Sequence, residues 1–244
     1  LVICKPPYWS VDSGEAERNS VGSLGQYLEA QYPLRQFPVL GDLAATRGFL
    51  HRLDVPSSGL ILVAKTHRAY FDLQLQLQVG SLLREYVAMC HGWLSSRRTC
   101  VRARVHVWRN GQLDQCSVSP SGKVACTRLK VSGYFLVAVA SCCLISIRLV
   151  TGRMHQIRLH FAHIGHPTLS DGKYTATSTM RSDGQCPRNF LHRYRLAFKA
   201  AGEFVAASAP LPTDLTHFMQ SCVAAGPGSS SAVSAQSLWR CPDW

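Results

Sequence analysis

The sequence holds no C-x-x-C pair, although it carries ten cysteines. Cys142 and Cys143 are adjacent and the others lie scattered, several of them inside apolar runs. That spacing offers neither a zinc-site pattern nor a disulfide framework, so buried, reduced thiols and an intracellular setting are expected, with cytoplasm, nucleus and organelle left open. Long apolar runs are also missing. The longest, Tyr134 to Ile147, is shorter than the roughly 18 residues a membrane helix needs, and its valine and isoleucine content reads as buried strand. There is no G-x-S-x-G nucleophile elbow, which removes the usual motif for a serine hydrolase, and no internal repeat of the length that marks solenoids. Acidic residues are few: 14 Asp and Glu stand against 26 Lys and Arg, for a net charge of +12.

What is present describes an ordinary folded domain. A chain of 244 residues, 46% hydrophobic, can bury a full core. One domain is expected over residues 1–223, with 224–244, rich in Gly, Ser and Ala and without periodicity, as a disordered tail. Leu1 in place of Met, followed at once by strand-like residues, suggests that the N-terminus is cut. The charge is unevenly placed: residues 47–200 hold 22 Lys and Arg against 6 Asp and Glu, while the two ends hold 4 against 8. A basic excess confined to the middle points to a polyanionic partner, because phosphate neutralisation supplies most non-specific nucleic-acid affinity.

Hydrophobic periodicity gives the elements. Leu1 to Cys4 reads as a short strand stopped by Lys5-Pro6-Pro7. Val21, Leu24, Tyr27 and Leu28 follow Ser20 at helical spacing, which predicts a helix over 20–31 with Ser20 as its N-cap. Gly59 to Ala64 is a buried strand. Thr66 caps a helix to about Val79 that Gly80 closes, although Phe71, Leu73, Leu75 and Leu77 alternate in strand fashion. Arg84 to Leu94, Val101 to Trp108 and Val124 to Val131 alternate as strands, with a turn at Asn110-Gly111. Gly133 to Val150 is one long strand or two joined at Ser141. Met154 to Ile164 is a helix, residues 169–183 a loop, Phe190 to Phe198 a strand and Asp214 to Val223 a closing helix. The natural product is an α+β fold with an antiparallel-rich sheet.

The candidate chemistry centres on His51-Arg52-Leu53-Asp54-Val55-Pro56-Ser57-Ser58-Gly59-Leu60. Asp54 lies between a basic pair and a Pro-Ser-Ser-Gly turn that leads into an apolar strand. A neighbouring cation favours the ionised carboxylate, which makes Asp54 a candidate nucleophile or base; the plainer alternative is an aspartate that opens a turn. This stretch resembles the HRLDxxTSGL signature of the RluA-type RNA pseudouridine synthases, with Ser57 where that family has Thr. Further segments occur in the family's order: Lys5-Pro6-Pro7, Arg84-Glu85-Tyr86-Val87-Ala88, Thr151-Gly152-Arg153-Met154-His155-Gln156-Ile157-Arg158, Ser170-Asp171-Gly172-Lys173-Tyr174, Leu191-His192-Arg193 and Ala209-Pro210-Leu211-Pro212. The resemblance covers about residues 1–218. It implies a mixed, largely antiparallel bent sheet with flanking helices.

It also implies roles. Asp54 is the expected nucleophile, Arg153 its ionic partner in a buried pair, and Tyr86 the aromatic group set against the target uracil. Arg52 matches the basic residue that helps displace the target base. His155, Gln156 and Arg158 take structural or RNA-facing places, Leu191 packs beside the bound base, and the expected substrate-binding set is His51, Arg52, Gln156, Arg158 and Leu191. The family's usual Ala at position 193 is here Arg193, which motivates the alternative of a catalytically inactive RNA-binding domain on the same scaffold. His155, His160, His163 and His166 invite a third reading, metal-dependent hydrolysis, but no pair stands at the i, i+4 spacing of a helical zinc motif. The reading adopted is a cofactor-free, monomeric RNA pseudouridine synthase that acts on a uridine in a loop or single-stranded part of rRNA or tRNA.

Overall fold

Strands take up about a third of the chain and pair mostly antiparallel, and the helical segments are short insertions among them. The computed structural model describes residues 1–11, 20–110, 113–137, 140–180 and 186–225. The first elements are β1 (Val2–Lys5), β2 (Trp9–Ser10), β3 (Gly22–Ser23), α1 (Leu24–Gln31), β4 (Ser58–Leu62) and α2 (His67–Gln78). Next come β5 (Leu83–His91), β6 (Cys100–Arg102), β7 (Val105–Asn110), β8 (Leu113–Val118), β9 (Cys126–Val137) and β10 (Ala140–Leu149). The chain continues through α3 (Gln156–His163), α4 (Thr177–Met180), β11 (Leu191–Ala200), β12 (Glu203–Ser208), α5 (Thr213–Gln220) and β13 (Val223–Ala224). The outcome is the expected α+β class with mostly antiparallel pairing. No helix among the described residues is long and apolar enough to cross a membrane.

The chain divides into two compact units. The first comprises Leu1–Arg84 and His192–Pro210. In it β4 pairs antiparallel with β1, Val2 facing Leu62 and Lys5 facing Gly59, and parallel with β11, His192 facing Ser58. A strand flanked by a parallel neighbour is covered on both faces and reads as a continuous buried run, and all five residues of β4 are buried. Gly59 has φ +123°, and a Cβ there would fall 2.2 Å from the carbonyl oxygen of Arg193, so only glycine lets these two strands approach. β12 pairs with β11 and was missed by the periodicity, because Glu203 to Ser208 is largely exposed on both faces.

The second unit comprises Glu85–Leu191 and the segment from Leu211 onward. There β10 lies between β5 and β9, β9 also pairs with β13 and β6, and β7 and β8 form a hairpin. Asn110 pairs with Leu113, which fits the expected tight turn, while residues 111–112 themselves lie outside the described set. The apolar stretch from Gly133 is divided differently from expectation. Cys126 to Val137 is one strand that carries the ladder through Gly133 with a register shift opposite Leu144/Ile145, and the chain reverses between 137 and 140 rather than at Ser141.

Helix boundaries shift for local reasons. α1 starts at Leu24 and is capped by Ser23, whose side chain accepts from Gln26 N at 3.4 Å; the helix cannot start at Ser20 because Gly22 and Ser23 pair with Trp9 and Ser10. α2 matches expectation: Thr66 accepts from Ala69 N at 3.2 Å and Gly80 takes φ +76°. α3 begins at Gln156 because His155 is left-handed at φ 50°. α5 stops at Gln220, since Val223 and Ala224 pair with β9. The expected loop at 169–183 contains the single turn α4. Most of the expected tail, 226–244, lies outside the described residues.

Candidate active site

In the first unit, the corner that carries Asp54 is held from both sides. Lys5 is fully buried, and its Nζ donates to the carbonyl oxygens of Trp9 at 2.7 Å, Pro6 at 3.0 Å and Val55 at 3.1 Å. A buried ammonium needs such charge-assisted bonds to offset its desolvation. Val55 O also accepts from Tyr8 N at 2.7 Å, and Ser57 N donates to Asp54 O at 3.0 Å, closing the turn. The residue after the candidate nucleophile is therefore fixed by two donors. Asp54 itself is half-buried.

Arg193 holds the corner from the strand below. It is the largest fully buried side chain of the described residues, at 1% exposure. Its Nη1 donates to Leu60 O at 2.8 Å and to His51 Nδ1 at 2.6 Å, and its Nη2 donates to Arg52 O at 3.3 Å. The guanidinium thus spans both ends of the segment from His51 to Leu60. Beside it, Ser58 Oγ and His192 Nδ1 meet at 2.9 Å, both buried. Burial, followed by the charges of Arg193 and Arg84, pushes the His51 pKa well below 6.5, which keeps the ring neutral and Nδ1 free to accept. Arg52, next in the chain, is exposed.

The depressed His51 pKa has a stability consequence. The unfolded state takes up a proton near pH 6.5 that the folded state refuses, so this group's contribution is intact above pH 6.5 and is lost as pH falls toward the folded pKa. Burial lowers the pKa of His160 in the same direction. Unfolding monitored in urea from pH 8 to pH 5 should show stability falling below about pH 6.5, by at most about 1.4 kcal/mol per pH unit for His51. A His51→Gln variant should show a shallower decline.

In the second unit, the end of β10 delivers Thr151 and Arg153 to the start of α3. Gln156, 2% exposed, uses every polar position internally. Its Oε1 accepts from Thr151 Oγ1 at 2.7 Å and Arg153 N at 3.0 Å, and its Nε2 donates to Cys126 O at 3.1 Å and Thr127 Oγ1 at 3.0 Å. Arg158 is likewise buried, with Nε and Nη2 on the two oxygens of Asp171 at 2.8 and 2.6 Å. Asp171 also accepts from Thr168 Oγ1 and from the backbone N–H groups of Lys173 and Tyr174. An RNA-facing place for Gln156 and Arg158 is therefore corrected: both are internal struts, because their polar atoms are taken up inside the fold. Gln156 places the Arg153 backbone, and Arg158 anchors the following loop.

Arg153 is exposed, and its Nε donates to Val124 O at 3.2 Å. The expectation of a buried Arg153 is thus corrected, for Gly152 and Arg153 lie on the open side of the strand end. Arg153→Ala is expected to change unfolding stability by less than about 0.5 kcal/mol, as for surface substitutions generally, and to abolish product formation; a large loss of stability would contradict this placement. Tyr86 is 3% exposed on β5, opposite Ile147 of β10. Its neighbour Glu85 is fully buried and accepts from Arg148 Nε at 2.9 Å. Leu191, 4% exposed, opens β11.

The candidate residues fall into two sets. His51, Arg52 and Asp54 belong to the first unit, organised around Lys5 and Arg193. Tyr86, Arg153, Gln156, Arg158 and Leu191 belong to the second. The four histidines of the 155–166 segment diverge: His155 Nδ1 meets Tyr174 OH at 2.6 Å, His160 Nε2 donates to Ala103 O at 3.0 Å, and His166 Nδ1 donates to His91 O at 2.8 Å. No group of three His, Cys, Asp or Glu suited to a metal occurs among the described residues. None of the nine described cysteines is in a disulfide. Sequence reasoning missed the organising parts played by Lys5, Arg148 and Asp171. Lys5 and Asp171 each stood in a segment that resembles the family, and Arg148 carried no signal.

Comparisons with known proteins agree with this organisation. A family model described as RNA pseudouridylate synthase matches residues 1–163. The chain is 31% identical to the ribosomal large subunit pseudouridine synthase D of Pasteurella multocida, over 90% of this chain and 67% of that protein. It is 34% identical to the uncharacterized RNA pseudouridine synthase YlyB of Bacillus subtilis, over 71% of this chain and 55% of that protein, and so spans only part of each relative's length. The fold is that of the human RNA pseudouridylate synthase domain containing 1, with a TM-score of 0.69 at 23% identity, covering 99% of this chain and 92% of that one. With two thirds of its length matched by the family model, the chain belongs to the RNA pseudouridylate synthases.

Proposed function

We propose that this chain isomerises specific uridines of rRNA or tRNA to pseudouridine, with Asp54 as the nucleophile. The observation that carries the reading is that the family's aspartate-bearing corner is present and rigidly held, by Lys5 on one side and Arg193 on the other. Asp54 attacks the ribose–uracil unit, the bond between ribose carbon and uracil nitrogen breaks, and the uracil rotates. A carbon of the base then bonds to the ribose, and that carbon loses its proton, with Tyr86 assisting. Arg153 is assigned the part of the catalytic cation by its place in the Thr151-Gly152-Arg153 segment. The carbon–carbon bond forms as Asp54 is released, and the proton that this base carbon loses to solvent is matched by one taken up at the uracil nitrogen freed from the ribose, so the isomerisation balances without a cofactor. The target uridine must leave its stack, which costs a few kcal/mol and least in a loop. His51, held by Arg193, helps fix the corner.

The net charge of the central segment supports RNA as the partner. Pseudouridine mapping in the RNA of cells with and without the protein tests the proposal: sites that vanish on its removal name the substrate. An unchanged map across rRNA and tRNA would reject it.

A further inference from the structure

The hairpin of β7 and β8 carries an aromatic surface to which the catalytic reading assigns no role. The side that bears Val105 and Cys116 packs inward: both join Ala125 and Leu159 in a buried cluster, with Val118, Met154 and Tyr174 against it, while Val107 on that side is exposed. Strand alternation then turns His106 and Trp108 to the opposite side. Their rings stack with centroids 5.6 Å apart and planes within 19°. Trp108 remains 41% exposed. Directly across the ladder, Gln115 faces Trp108 and Ser117 faces His106, adding hydrogen-bonding groups on the same side.

The surroundings are strongly basic. Residues 101–130 contain six Lys and Arg and a single acid, Asp114. Arg102 and Arg104 are exposed just before the hairpin, and Arg104 Nη1 donates to Gly122 O at 3.0 Å. Arg128 and Lys130 are exposed on the adjoining β9, where Arg128 pairs with Cys100 and Arg102 with Cys126. A half-open tryptophan, pre-stacked on a second ring and set beside cations and amide or hydroxyl groups, has the chemistry of a platform for an unstacked base beside its phosphates.

We propose that the His106–Trp108 face is a base-stacking site for a single-stranded nucleotide of the RNA substrate, distinct from the position of the reacting uridine. The inference rests on the proposed RNA substrate and adds where a second nucleotide is gripped. The pre-stacked His106 lowers the ordering cost of the indole, and Arg102 and Arg104 neutralise the neighbouring phosphates.

The test is anisotropy of a fluorescently labelled short single-stranded oligoribonucleotide with the full chain, over a range of salt. Trp108→Ala should weaken binding roughly 10-fold, within the range for loss of one base–aromatic stack, at an unchanged salt slope because no charge is lost. Trp108→Phe should recover most of the affinity. Arg102→Ala should instead flatten the log-log salt slope by about 0.7, the value for one single-strand phosphate contact. Wild-type affinity in Trp108→Ala, or an equal loss in Trp108→Phe, would overturn the proposal, as would no binding by the wild type. The readout needs no turnover: a Trp108 effect in a protein that makes no pseudouridine keeps the platform and rejects the enzymatic reading. Turnover with an unchanged KM in Trp108→Ala does the reverse.

Discussion

Arg193→Ala should destabilise the first unit by roughly 2–5 kcal/mol, because it removes a large buried side chain and strips donors from buried acceptors. Those acceptors are Leu60 O, Arg52 O and the ring nitrogen of neutral His51. The loss falls on the segment that carries Asp54, so activity should drop further than the unfolded fraction explains. Arg193→Met, which fills much of the space without donating, should recover packing and leave the hydrogen-bond deficit. Urea unfolding of both variants checks this. An Arg193→Ala protein within about 0.5 kcal/mol of wild type would mean that the guanidinium organises nothing. The same contacts bear on the inactive alternative. Arg193 is directed into the structure beneath the corner, where it braces the candidate nucleophile.

Asp54→Asn should abolish pseudouridine formation while leaving fold and RNA affinity nearly intact. The amide keeps the shape and much of the hydrogen bonding of the carboxylate but has almost no nucleophilicity. The backbone of the corner is fixed by Lys5, Tyr8 and Arg193 through main-chain oxygens, contacts that the substitution leaves in place. RNA affinity depends chiefly on phosphate neutralisation by basic residues elsewhere, which the change leaves in place. A drop in stability as large as that of Arg193→Ala would show that the carboxylate is a structural strut.

Much of this was legible in the sequence, for identifiable reasons. β4 reads as a buried strand because both its faces are covered, so no polar residue interrupts Gly59 to Leu62. α2 is announced by Thr66 and Gly80 despite the alternation from Phe71 to Leu77, since the positions buried are Tyr70 and Leu73 at helical spacing, while Phe71 and Leu75 are exposed. Asp54 is marked as a candidate by the basic pair before it and the turn after it, but its role, like that of Arg153, comes from motif resemblance.

The remainder was hidden in long-range pairing. Arg193 looks like an RNA-facing cation in the sequence, and only the parallel register of His192 on Ser58 turns it inward. Gln156 and Arg158 share a motif with Arg153 yet are buried, because their partners Thr127 and Asp171 come from distant segments. The start of α3 is misplaced by two residues because His155 is left-handed, a conformation that residue preferences do not announce.

The central claim is catalytic, and it is tested most directly with cellular rRNA and tRNA in which uridine carries tritium at carbon 5, the base carbon that bonds to ribose. Wild-type protein should release label to water as the carbon–carbon bond forms, and Asp54→Asn, folded and binding the same RNA, should release none. No release by wild type from any cellular RNA, or release by Asp54→Asn at the wild-type rate, would contradict the account.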